Sequence, residues 1–356
     1  MRKIPTAILG AGGWIGQHFA RLLGDHPWFE PPLLVGGERT QGRTLEEIWQ
    51  IPEEGPPGPI ARERLTTASP AALERAGIRV AFSALPGDKA SLLEPELARR
   101  GIAVFSNASA HRMDPRVPLL IPEVNPRHLG LLHPRPGRGF IVTNTNCSAA
   151  GLLLALKPLR DRFPVERVYV TTYQALSGAG FPGVPSLAIE DNVVPYIPEE
   201  ETKMEEETRK VLGSLRGNGI RPLALRVIAN CARVATREGH LEAVTVPGKF
   251  TGEGDILRAW KDFHPLREGK EPALPTAPLD PVLVHPAPDR PQPLPDRWAG
   301  VPHRARGMAV TVGRLRVDPD GIRFYLLVHN AVRGGAGGSV LNAELAVREG
   351  LLGEVV

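Results

Sequence analysis

The first 110 residues alternate between strand-like and helix-like patterns, and this alternation restricts the possible folds more than any other feature of the sequence. The successive stretches are TAILGAGG, WIGQHFARLLGDH, PLLVGG, RVAFSALP, SLLEPELARRG and IAVFSNAS. Short apolar runs separated by amphipathic segments are typical of βαβ units, in which the strands are parallel. We therefore expect an α/β protein that begins with a parallel sheet.

A glycine-rich loop, GAGGWIG, joins the first predicted strand to the first predicted helix. Glycines at 10, 13 and 16 allow a tight turn, a close approach to a pyrophosphate and packing of the helix on the strand, with the phosphates at the helix N-terminus. In this context the loop predicts a Rossmann dinucleotide-binding domain. Its candidate cofactor-binding residues are Gly10, Gly12, Gly13, Trp14, Ile15 and Gly16.

The stretch VGGERTQGR after the second predicted strand bears on the choice of cofactor. NAD sites usually place a carboxylate here to bind the ribose 2′-hydroxyl, whereas an arginine accommodates the 2′-phosphate of NADP. Arg39, Thr40 and Arg43 lie at this point and favour NADP, although Glu38 leaves NAD open.

From about residue 165 the predicted strands become longer, as in RVYVTTYQA, LRVIANCARVAT, HLEAVTV, MAVTVGRLRV and FYLLVHNAV. This pattern indicates a mixed or antiparallel sheet in a second domain. The final stretch, SVLNAELAVREGLL, predicts a helix that returns to the first domain. We expect a first domain of residues 1–146, completed by a helix within 337–356, and a second domain of residues 147–336.

Cys147 lies in NTNCSAAG, at a predicted change from strand to helix. Unpaired N–H groups and the positive end of the dipole at a helix N-terminus favour a thiolate, and the same groups can receive an oxyanion. The small residues that follow leave room for a substrate. A lone cysteine can equally be a small buried hydrophobe, and these residues alone leave both interpretations open.

The composition narrows the possible partners and compartment. The chain has 356 residues, a net charge of +4 and only two cysteines, with no CxxC or HxxxH spacing, so we expect neither a disulfide framework nor a metal site. Arginines are interleaved with acidic residues, which argues against nucleic-acid binding. The N-terminal apolar run is too short for a signal peptide or a membrane span. We expect a cytoplasmic enzyme with small-molecule substrates.

Longer motifs add a family resemblance. They are SNASAHRM at 106–113, IPEVN at 121–125, QALSGAGFPGVPS at 174–186, EDNVVP at 190–195, PEEETKMEEET at 198–208, CARVATREGHLEAV at 231–244 and HNAVRGGAGGSVLNAE at 329–344. Together they resemble the aspartate-semialdehyde dehydrogenase family, in its archaeal and fungal-type branch, over nearly the whole chain.

The resemblance implies a fold and a reaction. The fold is a Rossmann domain plus an α+β catalytic and dimerisation domain with a mixed sheet, like the C-terminal domain of glyceraldehyde-3-phosphate dehydrogenase. The reaction is the NADPH-dependent reductive dephosphorylation of L-aspartyl 4-phosphate to L-aspartate 4-semialdehyde, in lysine, threonine and methionine biosynthesis. A homodimer or homotetramer is expected.

The resemblance also implies a role for individual residues. Cys147 would form a thioester with the acyl group, Gln174 would orient it, and His240 would act as general acid and base because an imidazole titrates near neutral pH. Arg233 would bind the substrate α-carboxylate and Glu200 the α-ammonium.

Further residues complete the implied site. Arg112 and Lys203 would bind the phosphate, and Asn146 adjoins the nucleophile; Ser177, Gly178, Gly180 and Asn330 would line the nicotinamide pocket. The chain departs from the usual family pattern at Thr145, commonly proline, and at Ala232, commonly asparagine. We interpret Cys231 as structural.

Three alternatives remain. Malonyl-CoA reductase resembles this branch and uses the same thioester chemistry, but its substrate has no α-ammonium for Glu200. N-acetyl-glutamyl-phosphate reductase shares the mechanism but fits the SNASAHRM and SGAGFPGVPS stretches poorly. A non-catalytic NADP-binding regulator would be expected to lack Cys147 or His240, and both are present.

Overall fold

A computed structural model describes residues 3–133 and 137–352. The strands are β1 Thr6–Leu9, β2 Leu33–Val35, β3 Val80–Ser83, β4 Ala103–Ser106, β5 Leu119–Leu120, β6 Ile141–Asn144, β7 Arg167–Gln174, β8 Ser214–Arg216, β9 Gly219–Arg221, β10 Arg226–Arg233, β11 His240–Pro247, β12 Arg267–Glu268, β13 Glu271–Pro272, β14 Val282–His285, β15 Val310–Asp318 and β16 Gly321–Val328. The α-helices are α1 Trp14–Leu23, α2 Pro70–Arg75, α3 Gly87–Arg99, α4 Cys147–Arg160, α5 Ser186–Ile189, α6 Glu200–Val211, α7 Glu253–Lys261, α8 Pro293–Asp296 and α9 Gly337–Arg348.

The chain forms two compact units. The first contains Met1–Leu120, Arg127–Asn144 and Gly335–Val356, and the second contains Ile121–Pro126 and Thr145–Gly334. The sequence predicts a first domain of residues 1–146 with the helix within 337–356, and a second domain of residues 147–336. The units differ from this division in three places, because residues 121–126 and 145–146 belong to the second unit and residues 335–336 to the first. No helix among the described residues is long and apolar enough to cross a bilayer.

The first unit has a six-stranded sheet in the order β2-β1-β3-β4-β6-β5, and every neighbouring pair is parallel. The prediction of a parallel, Rossmann-type sheet is confirmed. Strands β1, β3 and β4 are buried along their whole length, which explains why their sequences TAIL, VAFS and AVFS do not alternate with polar residues. Helix α9 packs against α1, β4 and β6.

The second unit has a mixed six-stranded sheet in the order β10-β7-β11-β16-β15-β14. The two outer pairs are parallel and the three inner pairs are antiparallel, which confirms the mixed sheet expected from the sequence. Burial alternates along β7, β10 and β11, since successive side chains of a strand point to opposite faces. Helices α4 and α6 pack on this sheet.

Helix α6 also covers the edge strand β10. The backbone N–H groups of Ala229 and Cys231 donate to the carboxylates of Glu205 and Glu201, at 3.2 and 3.0 Å. An edge strand has unpaired backbone donors, and glutamates of a helix satisfy two of them here. These contacts hold α6, and therefore its first residue Glu200, beside the ends of β10 and β7.

A buried ion pair ties the segment 121–126 to the end of the second unit. Both terminal nitrogens of Arg333 donate to the carboxylate of Glu123, at 2.7 and 2.6 Å, and both side chains are 1% exposed. Two parallel hydrogen bonds of this kind satisfy both buried charges. This pair explains why 121–126 groups with the second unit.

We predict that Glu123→Gln lowers the free energy of unfolding by about 3–5 kcal/mol, because it leaves the Arg333 charge buried and poorly paired. The matched control is Arg323→Gln, which breaks the half-exposed ion pair with Asp318 and should cost less than about 1 kcal/mol. Urea unfolding of both variants checks this. Equal losses of unfolding free energy in the two variants would mean that burial does not make the Glu123–Arg333 pair more important for stability than an exposed pair.

Candidate active site

Cys147 is the first residue of α4, three residues after β6 ends at Asn144. The predicted change from strand to helix at this cysteine is confirmed. The Asn146 side chain caps the helix, and its Oδ1 accepts from the N–H groups of Ser148 and Ala149 at 2.9 and 3.1 Å. These two N–H groups are therefore occupied by the cap, and the expectation that they receive an oxyanion is wrong for both of them.

His240 begins β11 and lies against Cys147. Its Nε2 is 3.2 Å from the Cys147 Sγ, and its Nδ1 accepts from the backbone N–H of Ala175 at 3.0 Å. The ring is fully buried. Burial, together with the charges of Arg233 and His329, lowers the pKa of His240 to about 3. Burial therefore disfavours the charged form of this imidazole, and its role as general acid and base stays a prediction.

A carboxylate links the surroundings of Cys147 to the end of β7. Glu200 Oε1 accepts from Asn146 Nδ2 and from Gln174 Nε2, both at 2.8 Å. Glu200 is the first residue of α6, where the helix dipole favours negative charge. The backbone N–H of Asn146 donates to Glu207, farther along the same helix, at 2.5 Å.

Arg233 ends β10 and pairs in register with Gln174 on β7. It is 7% exposed, and its Nη1 donates to the carbonyl oxygen of Ala175 at 2.8 Å. Burial lowers the pKa of this guanidinium, while the neighbouring Cys147 and Glu200 act in the opposite direction. Ala232, where the family commonly has asparagine, precedes Arg233 and points to the opposite face of β10. This substitution therefore does not change the face of the strand that carries Arg233.

Lys203 lies at the exposed side of α6. Its Nζ pairs with the carboxylate of Glu199 at 2.9 Å, and both side chains are accessible to solvent. Cys231 is buried, with its Sγ 3.7 Å from the Met204 sulfur, and burial raises the pKa of its thiol to about 12. This environment is that of a structural cysteine.

The segment after β7, which contains Gly178, packs tightly on the side chains of Arg233 and His240. A Cβ added to Gly178 would lie 2.7 Å from Arg233 Nη1 and 3.4 Å from His240 Nε2, so a larger residue has no room. Gly180 has φ +74°, which favours glycine. Asn330 donates to Ser177 Oγ at 2.8 Å and accepts from the N–H of Gly239 at 2.9 Å, which joins three loops of the unit.

Two contributors were missed by the sequence analysis. A Cβ on Gly334 would lie 2.5 Å from the Cys147 Cβ and 2.6 Å from its Cα, so glycine is required where this backbone crosses the cysteine. The run of glycines in RGGAGGS was the available sequence signal. The backbone of Ala175 contacts both His240 and Arg233, and an alanine carries no signal for such a role.

The glycine loop of the first unit has the close contacts that a dinucleotide site needs. Gly10 has φ +80°, and a Cβ there would lie 2.8 Å from the carbonyl oxygen of Ala84. A Cβ on Gly12 would lie 2.9 Å from Thr40 Cγ2, and one on Gly16 would overlap the Gly10 carbonyl. Gly13 is the N-cap residue of α1 and has no side chain to accept from the first-turn N–H groups.

The remaining predicted residues of the first unit follow its strands. Arg39 is exposed after β2, and Arg43 donates to the Glu47 carbonyl at 2.8 Å. Arg112 is 9% exposed and donates to the Asn107 carbonyl at 2.9 Å. These loop and arginine positions fit a phosphate-rich dinucleotide.

Models of two domain families match the chain. The semialdehyde dehydrogenase NAD-binding domain matches residues 5–132, and the semialdehyde dehydrogenase dimerisation domain matches residues 156–333. These matches cover most of the sequence and coincide with the glycine loop and with the mixed sheet.

Individual proteins are similar over nearly their full length. Aspartate-semialdehyde dehydrogenase of Archaeoglobus fulgidus is 46% identical over 98% of this chain and 100% of that protein. Malonyl CoA reductase (NADP) of Metallosphaera sedula is 38% identical over 99% of each chain. The crystal structure of Candida albicans aspartate semialdehyde dehydrogenase with NADP superposes with a TM-score of 0.83 at 32% identity, covering 98% of this chain and 99% of that one.

The geometry around Cys147, the two domain matches and the full-length similarities agree. The chain belongs to the aspartate-semialdehyde dehydrogenase family.

Proposed function

We propose that this chain catalyses the reversible, NADP-dependent conversion of L-aspartate 4-semialdehyde and phosphate into L-aspartyl 4-phosphate, running in the reductive direction in amino-acid biosynthesis. The observation that carries the proposal is the 3.2 Å contact between Cys147 Sγ and His240 Nε2, beside a carboxylate and a buried arginine. This is a nucleophile with a polar partner and with groups that recognise a charged amino acid.

Cys147 is the nucleophile in this proposal. Its place in the first turn of α4 stabilises a thiolate, and the polar cap of Asn146 fixes the sulfur relative to the helix. Attack on the aldehyde carbon forms a C–S bond and a thiohemiacetal, and loss of a hydride from that carbon, which bound NADP would accept, converts it into a thioester. In this oxidative direction phosphate then attacks the acyl carbon, the C–S bond breaks, and the acyl phosphate and the Cys147 thiolate are released. Gln174 lies at the end of β7, where its amide can orient the acyl group.

The charges of the site support an amino-acid substrate. Arg233 can bind the α-carboxylate with two N–H groups, and Glu200 supplies an acceptor for the α-ammonium. Malonyl-CoA has no ammonium group, so Glu200 favours the aspartyl substrate. Lys203 and Arg112 are proposed to bind the phosphate; Lys203 would exchange its exposed Glu199 partner for it.

The cofactor in this proposal is NADP, which when bound accepts or supplies the hydride. The Gly10–Gly16 loop and the uncapped N-terminus of α1 would hold its pyrophosphate. The exposed Arg39 follows β2 and would bind the 2′-phosphate, which NAD lacks. Ser177, Gly178, Gly180 and Asn330 are proposed to adjoin the nicotinamide.

We also propose a homodimer. The face of the mixed sheet opposite α4 and α6 carries half-exposed apolar side chains, among them Tyr169, Tyr173 and Leu241. A second copy on this face would cover them, in keeping with the dimerisation domain matched at residues 156–333. Cys147 and Cys231 are both thiols, and thiols persist in a reducing compartment such as the cytoplasm, which we propose for this chain.

The function is tested by measuring NADP reduction with two substrate pairs: aspartate semialdehyde plus phosphate, and malonate semialdehyde plus coenzyme A. We expect rapid, phosphate-dependent reduction with the first pair and a rate at least about a hundredfold lower with the second, because malonate semialdehyde has no α-ammonium for Glu200 and its carboxylate lies one carbon nearer the aldehyde than the one proposed to bind Arg233. Cys147→Ala should have no measurable turnover with either pair.

The opposite preference would make the protein a malonyl-CoA reductase. Turnover by Cys147→Ala within tenfold of the unchanged enzyme would contradict the covalent role of the cysteine. NADP binding by the Cys147→Ala protein, followed by fluorescence, is the control for its folding.

The position of Cys147 can be tested through Gly334. We predict that Gly334→Ala lowers kcat/KM for aspartate semialdehyde by about tenfold or more, since a methyl group 2.5 Å from the Cys147 Cβ must displace the nucleophile. The matched control is Gly219→Ala, where a Cβ meets no atom within 4 Å and the backbone is not left-handed. Steady-state kinetics of both variants check this, and an unchanged kcat/KM in Gly334→Ala would contradict it.

A further inference from the structure

We propose that Glu94 is a positioning residue for Arg112: its buried carboxyl holds the segment 106–112 at both ends and thereby sets the affinity of the enzyme for phosphate. This inference rests on the proposed function, in which Arg112 binds the phosphate. Glu94 lies in the middle of α3, and its side chain is fully buried. A buried carboxyl is costly unless other groups compensate it, so the contacts of Glu94 indicate its role.

The first end of the segment is held at Ser106, the last residue of β4. Its Oγ donates to Glu94 Oε1 at 2.7 Å, and the same hydroxyl accepts from the backbone N–H of Ala108 at 3.1 Å. A hydroxyl has one proton, and here that proton points to the carboxyl, which leaves the oxygen lone pairs for Ala108. Glu94 therefore fixes the direction in which the chain leaves β4.

The other end of the segment is held at His111, the residue before Arg112. His111 Nε2 lies 3.5 Å from Glu94 Oε2, which is too long for a hydrogen bond but close enough for a strong electrostatic attraction in a buried site. Burial raises the pKa of the Glu94 carboxyl, whereas the hydrogen bond from Ser106 and the charge of His111 act in the opposite direction. The carboxyl therefore interacts with both ends of the segment.

These contacts determine where the guanidinium of Arg112 lies. Arg112 Nη2 donates to the backbone carbonyl of Asn107, the residue after Ser106, at 2.9 Å. The N–H of Asn107 donates to the carbonyl oxygen of Ser83, at the end of β3, also at 2.9 Å. The contacts thus run from Glu94 through Ser106 and Asn107 to Arg112, all within the first unit. A shift of the carbonyl at residue 107 would move the guanidinium with it.

The effect of Glu94 should be confined to phosphate. A guanidinium binds an oxyanion through parallel hydrogen bonds, so its affinity depends on its direction. Cys147, Gln174 and Arg233 belong to the second unit. A displaced segment 106–112 should therefore weaken phosphate binding and leave the affinity for aspartate semialdehyde unchanged.

The first test compares the KM for phosphate with the KM for aspartate semialdehyde in Glu94→Met, which has a similar size but no acceptor. We expect the KM for phosphate to rise by about tenfold or more, because a small misplacement of a binding group has a large effect. The KM for aspartate semialdehyde should stay within about twofold. Glu94→Gln keeps an acceptor for Ser106 and should hold the KM for phosphate within about threefold of the unchanged enzyme.

The matched control is Glu344→Met. Glu344 is another fully buried acid of the first unit, on α9, and its Oε1 lies 2.9 Å from His26 Nε2. This variant removes a buried acid–histidine pair that does not include segment 106–112, so both KM values should stay within about twofold. An equal rise of the phosphate KM in Glu94→Met and Glu344→Met, or an equal rise of both KM values in Glu94→Met, would overturn the proposal.

Arg112→Lys separates this inference from the proposed function. A raised phosphate KM in Arg112→Lys together with an unchanged one in Glu94→Met would overturn the inference and leave the phosphate role of Arg112 in place. An unchanged phosphate KM in Arg112→Lys would contradict that role, and with it the inference.

Hydrogen exchange of the substrate-free protein tests the contacts without turnover. We expect the amides of residues 107–112 to exchange faster in Glu94→Met than in the unchanged protein or in Glu344→Met, because the acceptor of the Ala108 N–H is no longer oriented. Unchanged exchange would overturn the proposal. Ser106→Ala deletes the linking hydroxyl and should have the same effect on exchange and on the phosphate KM, so it tests the proposal if Glu94→Met does not fold.

Discussion

The site depends first on the hydrogen bonds of Asn146, the residue before the cysteine. Its side-chain oxygen caps α4, its side-chain nitrogen donates to Glu200, and its backbone N–H donates to Glu207. One residue therefore joins the first turn of α4 to α6. Because α6 is itself held by the edge of β10, the sulfur of Cys147 is fixed relative to the mixed sheet through these contacts.

The register of the mixed sheet positions the remaining side chains of the site. Arg233 pairs with Gln174 across two parallel strands, and β11 starts at His240, one residue before the pair Leu241–Tyr173. The ends of three strands thus bring a cation, an amide and an imidazole to one buried edge. Burial at this edge lowers the pKa of the His240 imidazole and that of the Arg233 guanidinium.

Local patterns were enough to predict the elements of the fold. The alternation of strand-like and helix-like stretches in the first 110 residues predicted the parallel sheet, and the longer strand patterns after residue 165 predicted a mixed or antiparallel sheet. Both predictions were possible because each type of sheet leaves its own local pattern in the sequence. The position of Cys147 at a helix start was also visible, since the strand and helix patterns meet there.

Other features depend on contacts that no local pattern encodes. The Glu123–Arg333 pair joins residues that are 210 positions apart in the sequence, and it holds the segment 121–126 in the second unit. The lowered pKa of His240 follows from its tertiary burial, and its orientation follows from the backbone N–H of Ala175 that donates to Nδ1. The glutamates of α6 resemble a solvated helix face, yet two of them cover a strand edge.

The central claim is that Cys147 carries the acyl group, and the most direct measurement is mass spectrometry of the protein mixed with aspartate semialdehyde and NADP in the absence of phosphate. We expect an acyl adduct on the peptide that contains Cys147, and we expect it to disappear when phosphate is added. Phosphate-dependent NADPH formation with no adduct on Cys147 would contradict it.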